Sequence, residues 1–238
     1  MRSEHAVRQA LRRVSRKDKA AILARFFKTG KGEYAEGDRF LGITVPQIRS
    51  LVRQYDALSV QEILTFLHSS FHEERLFALL VLVRQYERGD IKTRNKIYRL
   101  YLDNTRFINN WDLVDLSAHH IVGAHLEKKE RKILDRLARS ESLWERRIAM
   151  IATFYFTNQG DASPALAIAE KLIDDKQDLI HKAVGWMLRE VGKRCSLQEE
   201  KMFLERYAKT MPRTALRYAL ERMNAREKKY FMERKKYA

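Results

Sequence analysis

A tryptophan and two carboxylates lie close together in residues 109–117, inside a chain that is otherwise strongly basic. The pattern predicts a helix that begins at Trp111, and Asp115 follows four residues later, so one helix face carries both side chains. Asp112 lies three residues before Asp115, one position around the helix from Trp111. A carboxylate held in a positive field can stabilise positive charge that develops during a reaction. We therefore expect this face to point into a groove that holds nucleic acid, with Asp115 at the reacting centre and the tryptophan as an aromatic wall.

Other polar residues give weaker chemical signals. An aspartate in an opening helical turn often serves only the helix dipole, so a purely structural role for Asp115 stays open at this point. His68 and His72 are four residues apart, but a Ser-Ser break separates them, and we expect them to cap or pack rather than to bind metal. The single cysteine, Cys195, excludes an internal disulfide and a four-cysteine metal cluster. We expect no metal site and no cofactor, and a reducing cytoplasm as the compartment.

The charge balance of the chain favours an anionic partner. Lysine and arginine number 47 against 31 aspartate and glutamate, which gives a net charge of +16. Basic side chains that neutralise phosphates release counterions and so bind nucleic acid. A basic protein without a polyanion partner and a protein that binds an anionic membrane surface are the alternatives. No hydrophobic run approaches the roughly 20 residues needed to span a bilayer, and the first residues lack the apolar core of a signal peptide.

The composition and spacing of the elements predict an all-α fold. The 238 residues include only nine glycines and three prolines, while good helix formers dominate. One long irregular stretch, residues 29–44, holds four of those glycines. The second helix of each predicted pair begins near Phe71, Trp111, Leu143, Leu179 and Pro212, at separations of about 30 to 40 residues, which is typical of helical-hairpin repeats such as HEAT. We predict continuous helices over 71–88, 111–126 and 143–157. Stacked pairs of this kind form a solenoid with a concave face.

In that solenoid, basic residues recur at similar places in successive inner helices. The predicted row contains Arg75, Asp115, Arg147, Lys182 and Arg213. If these helices line the concave surface, it forms a basic groove that carries one carboxylate and is flanked by Trp111 and Trp186. Charged residues on exposed helical turns are also common in solenoids that bind no nucleic acid, so the row by itself leaves that alternative open.

Four stretches of the sequence are similar to motifs of one protein family. They are FLGITVP at 40–46, NWDLVD at 110–115, LWERRIA at 143–149 and KAVGWMLRE at 182–190. Together and in this order they resemble the AlkD-type DNA alkylation repair proteins, which are HEAT-like-repeat DNA glycosylases. The resemblance extends from about residue 17 to 220. It implies a single HEAT-like DNA-binding and catalytic domain over residues 1–225, followed by a basic helical tail over 226–238 that lies outside the pattern.

The resemblance implies a role for individual residues. The catalytic aspartate of the family falls on Asp115. The tryptophans that would pack against the deoxyribose of the lesion fall on Trp111 and Trp186. Arg147 would hold a phosphate beside the lesion, and Lys182 is a weaker candidate for the same contact. The chain keeps the family's residue at four motif positions, Trp111, Asp115, Arg147 and Trp186, which favours an active enzyme.

The activity implied is excision of cationic alkylated purines, of the 7-methylguanine and 3-methyladenine type, from duplex DNA in base excision repair. Members of the family work without a deep base-flipping pocket, and a groove suits that mode. The resemblance implies double-stranded DNA as partner. A monomer is the default for a solenoid that wraps DNA, and we expect no membrane, no metal and a cytoplasmic location at the nucleoid. Two alternatives remain at this point: a non-catalytic HEAT-repeat module that binds distorted or branched DNA, and a protein–protein scaffold.

Overall fold

The computed structural model describes residues 2–234, with side chains from residue 4 onward, and this range consists of helices joined by turns and irregular segments. It contains no β-strand, and one isolated bridge joins Arg39 and Phe71. The prediction of an all-α helical-repeat fold is therefore confirmed. None of the helices in this range is long and apolar enough to cross a membrane. The chain forms two compact units that divide between Ser117 and Ala118.

The first unit is built around one almost fully buried helix. Its helices are α1 (Arg2–Val14), α2 (Lys17–Phe26), α3 (Val45–Gln54), α4 (Val60–Leu67), α5 (His72–Arg88), α6 (Ile91–Asp103) and α7 (Trp111–Asp115). Helix α5 contains a continuous apolar run and packs against α3, α4 and α6, so it is buried on nearly all sides. Helix α2 differs, because none of its residues is buried. Ile22 and Phe26 on α2 are 59% and 61% exposed.

The second unit is organised in the same way around a second long helix. Its helices are α8 (Lys132–Ala138), α9 (Leu143–Ala152), α10 (Phe154–Thr157), α11 (Ser163–Lys171), α12 (Asp178–Arg194), α13 (Leu197–Tyr207), α14 (Arg213–Ala219) and α15 (Ala225–Glu233). Helix α12 packs against α9, α11, α13 and α14. The predicted basic tail begins inside α15, and its last residues, 235–238, lie outside the described residues.

One packing arrangement occurs twice in the second unit, which supports the helical-repeat prediction. A side chain at Gly123 would lie 2.3 Å from the carbonyl oxygen of Ala152, and one at Gly185 would lie 2.3 Å from that of Ala215. In both places the Cβ of a tyrosine three residues after the alanine is also within 2.6 Å of the added atom. Each glycine thus lets two backbones approach closely, where any side chain would hold them apart.

Two of the predicted helices are interrupted, so those predictions were wrong in extent. The helix expected over 111–126 ends at Asp115, and a separate π-helical turn follows at His119–Gly123. The helix expected over 143–157 breaks at Thr153 into α9 and α10. At each break a buried hydroxyl donates to a preceding carbonyl: Ser117 Oγ to Leu113 at 2.5 Å, and Thr153 Oγ1 to Met150 at 2.6 Å. Such bonds compete with the helical ladder and bend the chain.

Candidate active site

Four consecutive charged residues at the start of α5 are buried, which requires that each be compensated. They are His72, Glu73, Glu74 and Arg75, and none is more than 4% exposed. Glu74 accepts two hydrogen bonds from Arg8, at 2.8 and 3.0 Å. The other three reach toward the loop before α3 and toward the start of α7. The first turn of α5 therefore forms the base on which the candidate site is built.

Glu73 holds the FLG segment in place. Its carboxylate accepts hydrogen bonds from the backbone N–H groups of Leu41 and Gly42 at 2.8 Å and of Ile43 at 3.1 Å. Gly42 has φ +78°, and a Cβ there would lie 2.0 Å from the carbonyl oxygen of Arg16. Glycine is needed because the backbone is left-handed and touches the start of α2 directly. The segment thereby connects α5 to α2.

His72 bridges two carboxylates. Its Nε2 lies 2.8 Å from Asp112 Oδ2, and its Nδ1 lies 3.4 Å from Asp38 Oδ2. Burial by itself lowers the pKa of the imidazolium, but attraction and hydrogen bonding to Asp112, with a hydrogen bond to Asp38, outweigh burial and raise the pKa to about 9. At neutral pH both ring nitrogens therefore carry a proton and donate.

Asp38 is the second centre of this buried network. Arg75 Nη2 donates to both of its carboxylate oxygens, at 2.7 and 2.8 Å, and Arg75 Nη1 donates to the Ser69 carbonyl at 3.0 Å. Burial raises the pKa of the Asp38 carboxyl, but His72 and Arg75 reverse this and lower it below its usual value. Arg75 is only 3% exposed, so its expected place in a surface row of cations is wrong. Its charge is used inside the first unit.

The start of α7 is attached to the same network. Asn110 is fully buried, its Oδ1 accepts from the Trp111 N–H at 2.8 Å, and its Nδ2 reaches Asp38 at 3.4 Å. Asp112 Oδ1 accepts from the Leu113 N–H at 2.9 Å, while its other oxygen meets His72. Of the two carboxylates in α7, Asp112 is thus turned into the protein.

Trp111 ends a stack of aromatic rings that begins at His72. The His72 ring lies 4.7 Å from Phe40, Phe40 lies 5.1 Å from Phe27, and Phe27 lies 5.2 Å from Trp111, with interplanar angles between 17° and 22°. Phe26 meets Trp111 edge-on at 6.0 Å. These contacts hold the indole in a defined plane.

Trp111 and Asp115 line one pocket of about 530 Å³. The rest of its wall is mostly apolar and comes from α2, from residues 40–45 and from the start of α5, and it also includes His72 and Asp112. Both Trp111 and Asp115 are partly exposed. The structure therefore places a carboxylate beside an aromatic ring at an apolar surface, where a positive charge would be attracted strongly.

The remaining predicted site residues belong to α9 and α12 of the second unit. Trp186 is partly exposed and lies 5.9 Å from Phe154. Lys182 forms an ion pair with Asp178 at 2.8 Å, and its side chain is 39% exposed. Arg147 is 4% exposed, and its Nη1 donates to the carbonyl of Leu179. Arg147 therefore braces α9 against the start of α12, a role that its sequence position did not suggest.

His72 and Asp38 were missed as parts of the site. His72 was expected to cap or pack, and Asp38 was not singled out. The available signal was the run of four charged residues directly before the apolar part of α5, because charges that enter a core must find partners. Within the residues that the structure describes, no group of three or more histidine, cysteine or acidic side chains is arranged to hold a metal ion.

Comparison with known proteins gives a family and a fold. A family model described as DNA alkylation repair enzyme matches residues 7–223. No curated protein matches the chain. A solved structure described as a predicted DNA alkylation repair enzyme from Enterococcus faecalis superposes with a TM-score of 0.67 at 15% identity, over 89% of this chain and 97% of that chain. At this identity the superposition supports the fold alone.

Proposed function

The chain belongs to the DNA alkylation repair enzyme family, and on this premise we propose that it is a monofunctional DNA glycosylase for cationic alkylated purines in duplex DNA. The observation that carries the proposal is the pairing of Asp115 with Trp111 at one partly exposed apolar surface. The proposed substrates are of the 7-methylguanine and 3-methyladenine type, and the enzyme would act in base excision repair.

In the proposed reaction, the main task of the protein is to stabilise the positive charge that develops on the sugar. Alkylation makes the base cationic, so the bond from C1′ to the base nitrogen can break without protonation of the leaving group. Its electron pair goes to the base and neutralises it, while the sugar becomes oxocarbenium-like. The Asp115 carboxylate would stabilise that sugar cation more in the transition state than in the ground state. Asp115 would also orient the water that adds to C1′ and accept its proton.

The other residues would position the lesion. Trp111 would pack against the deoxyribose, and its fixed ring plane and apolar surroundings support this role, because they exclude water from the developing charge. We propose the same contact for Trp186. Lys182, whose side chain is 39% exposed and pairs with Asp178, is a candidate for a phosphate contact. Arg147 would first have to release the Leu179 carbonyl before it could bind a phosphate.

In this proposal both units act together as one domain over residues 1–225, with 226–238 as a basic tail. The enzyme would act as a monomer on double-stranded DNA in the cytoplasm, at the nucleoid. The net charge of +16 supports a DNA partner, since each neutralised phosphate adds to binding. The same charge also suits the second candidate function, a non-catalytic module that binds distorted or branched DNA, in which Asp115 would have no role.

Release of 7-methylguanine from a methylated duplex tests the proposal. We expect wild type to release the base and Asp115→Asn to be slower by about 10²- to 10³-fold, the usual loss for one electrostatic stabiliser, with DNA binding retained. Asp103→Asn is the matched control, because it makes the same charge change at an exposed position on α6. Equal release by wild type and Asp115→Asn would refute the catalytic assignment. No release by wild type, with preferential binding of branched DNA, would favour the second function.

A further inference from the structure

We propose that His72 is a positioning residue for this reaction, whose ring bridges Asp38 and Asp112 and thereby fixes α7 with Trp111 and Asp115. The proposal rests on the proposed function. His72 touches neither the sugar nor the reacting base in this scheme. It acts through the two side chains that do.

Helix α7 needs outside support to hold its orientation. It has only five residues, and a helix of that length is not stable by itself in water. Its buried residues Leu113 and Val114 anchor one face in the core. Its polar anchors are the Asn110 cap and the contact between Asp112 and His72. Asp112 is three residues from Asp115, so a shift of one carboxylate moves the other.

His72 is the residue that joins both supports of the site. Its Nε2 bonds to Asp112 on α7, and its ring stacks on Phe40 at the far end of the series that reaches Trp111. It also lies directly against Phe27, at 4.9 Å, and Phe27 is the ring that contacts Trp111. His72 thus fixes both the position of α7, which carries Asp115, and the plane of the Trp111 indole.

The charges around His72 explain why the two carboxylates of α7 have different roles. Asp38 and Asp112 face the ring, Arg75 pairs with Asp38, and the Glu73 carboxylate is directed to the backbone of 41–43. Because the His72 imidazolium neutralises Asp112, that carboxylate is committed to structure. Both carboxylates line the pocket, but Asp115, one turn further on, is the more exposed of the two and has no part in the bond to His72.

His72→Gln tests the proposal, because glutamine keeps a donor for Asp112 but loses the stacked ring and the positive charge. Single-turnover release of 7-methylguanine at saturating enzyme should slow by about 10- to 100-fold, the loss expected for a misplacement of about 1 Å, while Kd for the duplex changes by less than about 3-fold. In the double variant His72→Gln/Asp115→Asn the combined loss should be clearly smaller than the product of the two single losses, because groups that act as a unit are not additive; only the part that acts through Trp111 should remain. Independent multiplication of the two losses would overturn the proposal.

Two controls separate positioning from loss of stability. Ile63→Val removes a methyl group from the fully buried side chain of Ile63 on α4 in the same unit, and should leave the rate unchanged at a temperature where both variants are folded. If His72→Gln does not fold, Asp112→Asn tests the same link, because its single amide oxygen cannot accept from both His72 and the Leu113 N–H as the carboxylate does. A rate equal to wild type in the folded variant would overturn the proposal.

A spectroscopic measurement is independent of catalysis. In a Trp144→Phe/Trp186→Phe background Trp111 is the remaining tryptophan of the chain. Acrylamide should quench its fluorescence more strongly when His72 is replaced by glutamine, because the ring series no longer holds the indole. Unchanged quenching would overturn the proposal. If wild type releases no base, the proposed function fails, but this measurement still decides whether His72 positions Trp111.

Discussion

Gly42→Ala should destabilise the protein far more than the same change at Gly32, although both residues have φ +78°. At Gly32 an added Cβ meets nothing within 4 Å. At Gly42 it would lie 2.0 Å from the Arg16 carbonyl oxygen and 2.7 Å from the Ala20 backbone nitrogen. These are backbone atoms at the start of α2, so they cannot turn aside as the end of a long side chain could.

The magnitudes follow from two separate costs. A left-handed conformation costs an alanine roughly 1–2 kcal/mol, and both variants share this cost. Overpacking adds about 1–3 kcal/mol at Gly42 alone, or more if α2 cannot move. For a chain of this size each kcal/mol lowers Tm by about 2–4 °C. Gly42→Ala should therefore unfold at a temperature several degrees below that of Gly32→Ala.

Urea unfolding followed by circular dichroism gives the comparison directly, provided that m is unchanged between the variants. Base release should also fall in Gly42→Ala, measured well below its unfolding midpoint, because displacement of α2 moves Phe26 and Ile22 at the pocket. If the two alanine variants had equal midpoints, α2 would yield freely to the new methyl group. The close packing of the FLG segment against α2 would then not be what requires glycine.

Two further predictions concern pH and salt. Burial, with repulsion from Glu227, raises the pKa of the 3% exposed Glu200 to about 8, so the folded state favours the protonated carboxyl and loses stability as pH rises from about 4.5 to about 8. Glu200→Gln should remove this loss, which is on the order of 5 kcal/mol. Urea midpoints at pH 5 and pH 9 check it: a variant that follows the pH dependence of wild type would contradict the assignment. For DNA binding, log affinity should fall steeply with log salt, by several units per decade, when a duplex is titrated at increasing salt; a flat response would favour a protein–protein scaffold.

The sequence predicts the long helices well and their interruptions poorly. The helix over 71–88 was expected from its apolar run and from Gly89, and α5 occupies 72–88. Helix α4 begins with a capping box at Ser59, which is a pattern that a sequence shows locally. The breaks near Ser117 and Thr153 were not expected, because a hydroxyl in a helical pattern can point to solvent or bond back to a carbonyl, and periodicity does not distinguish these outcomes.

In the candidate site, too, features set by neighbouring residues could be predicted from the sequence, and contacts between distant residues could not. Trp111 and Asp115 were paired by their spacing of four, which is a local property of a helix, and the structure places both at one pocket. The roles proposed for them stay predictions. The network below them was missed, because His72 finds Asp38 and Asp112 at separations of 34 and 40 residues. Such partners are brought together by the packing of α5, which the sequence pattern does not encode locally.

The central claim is that Asp115 stabilises positive charge on the sugar, and an equilibrium measurement tests it most directly. Two duplexes would be compared, one with a cationic pyrrolidine in place of the lesion nucleoside and one with a neutral tetrahydrofuran of the same shape. Wild type should bind the cationic duplex at least about 10²-fold more tightly than the neutral one, since it resembles the transition state. Asp115→Asn should lose most of this preference while it binds the neutral duplex as wild type does. An equal preference in both proteins would contradict the account.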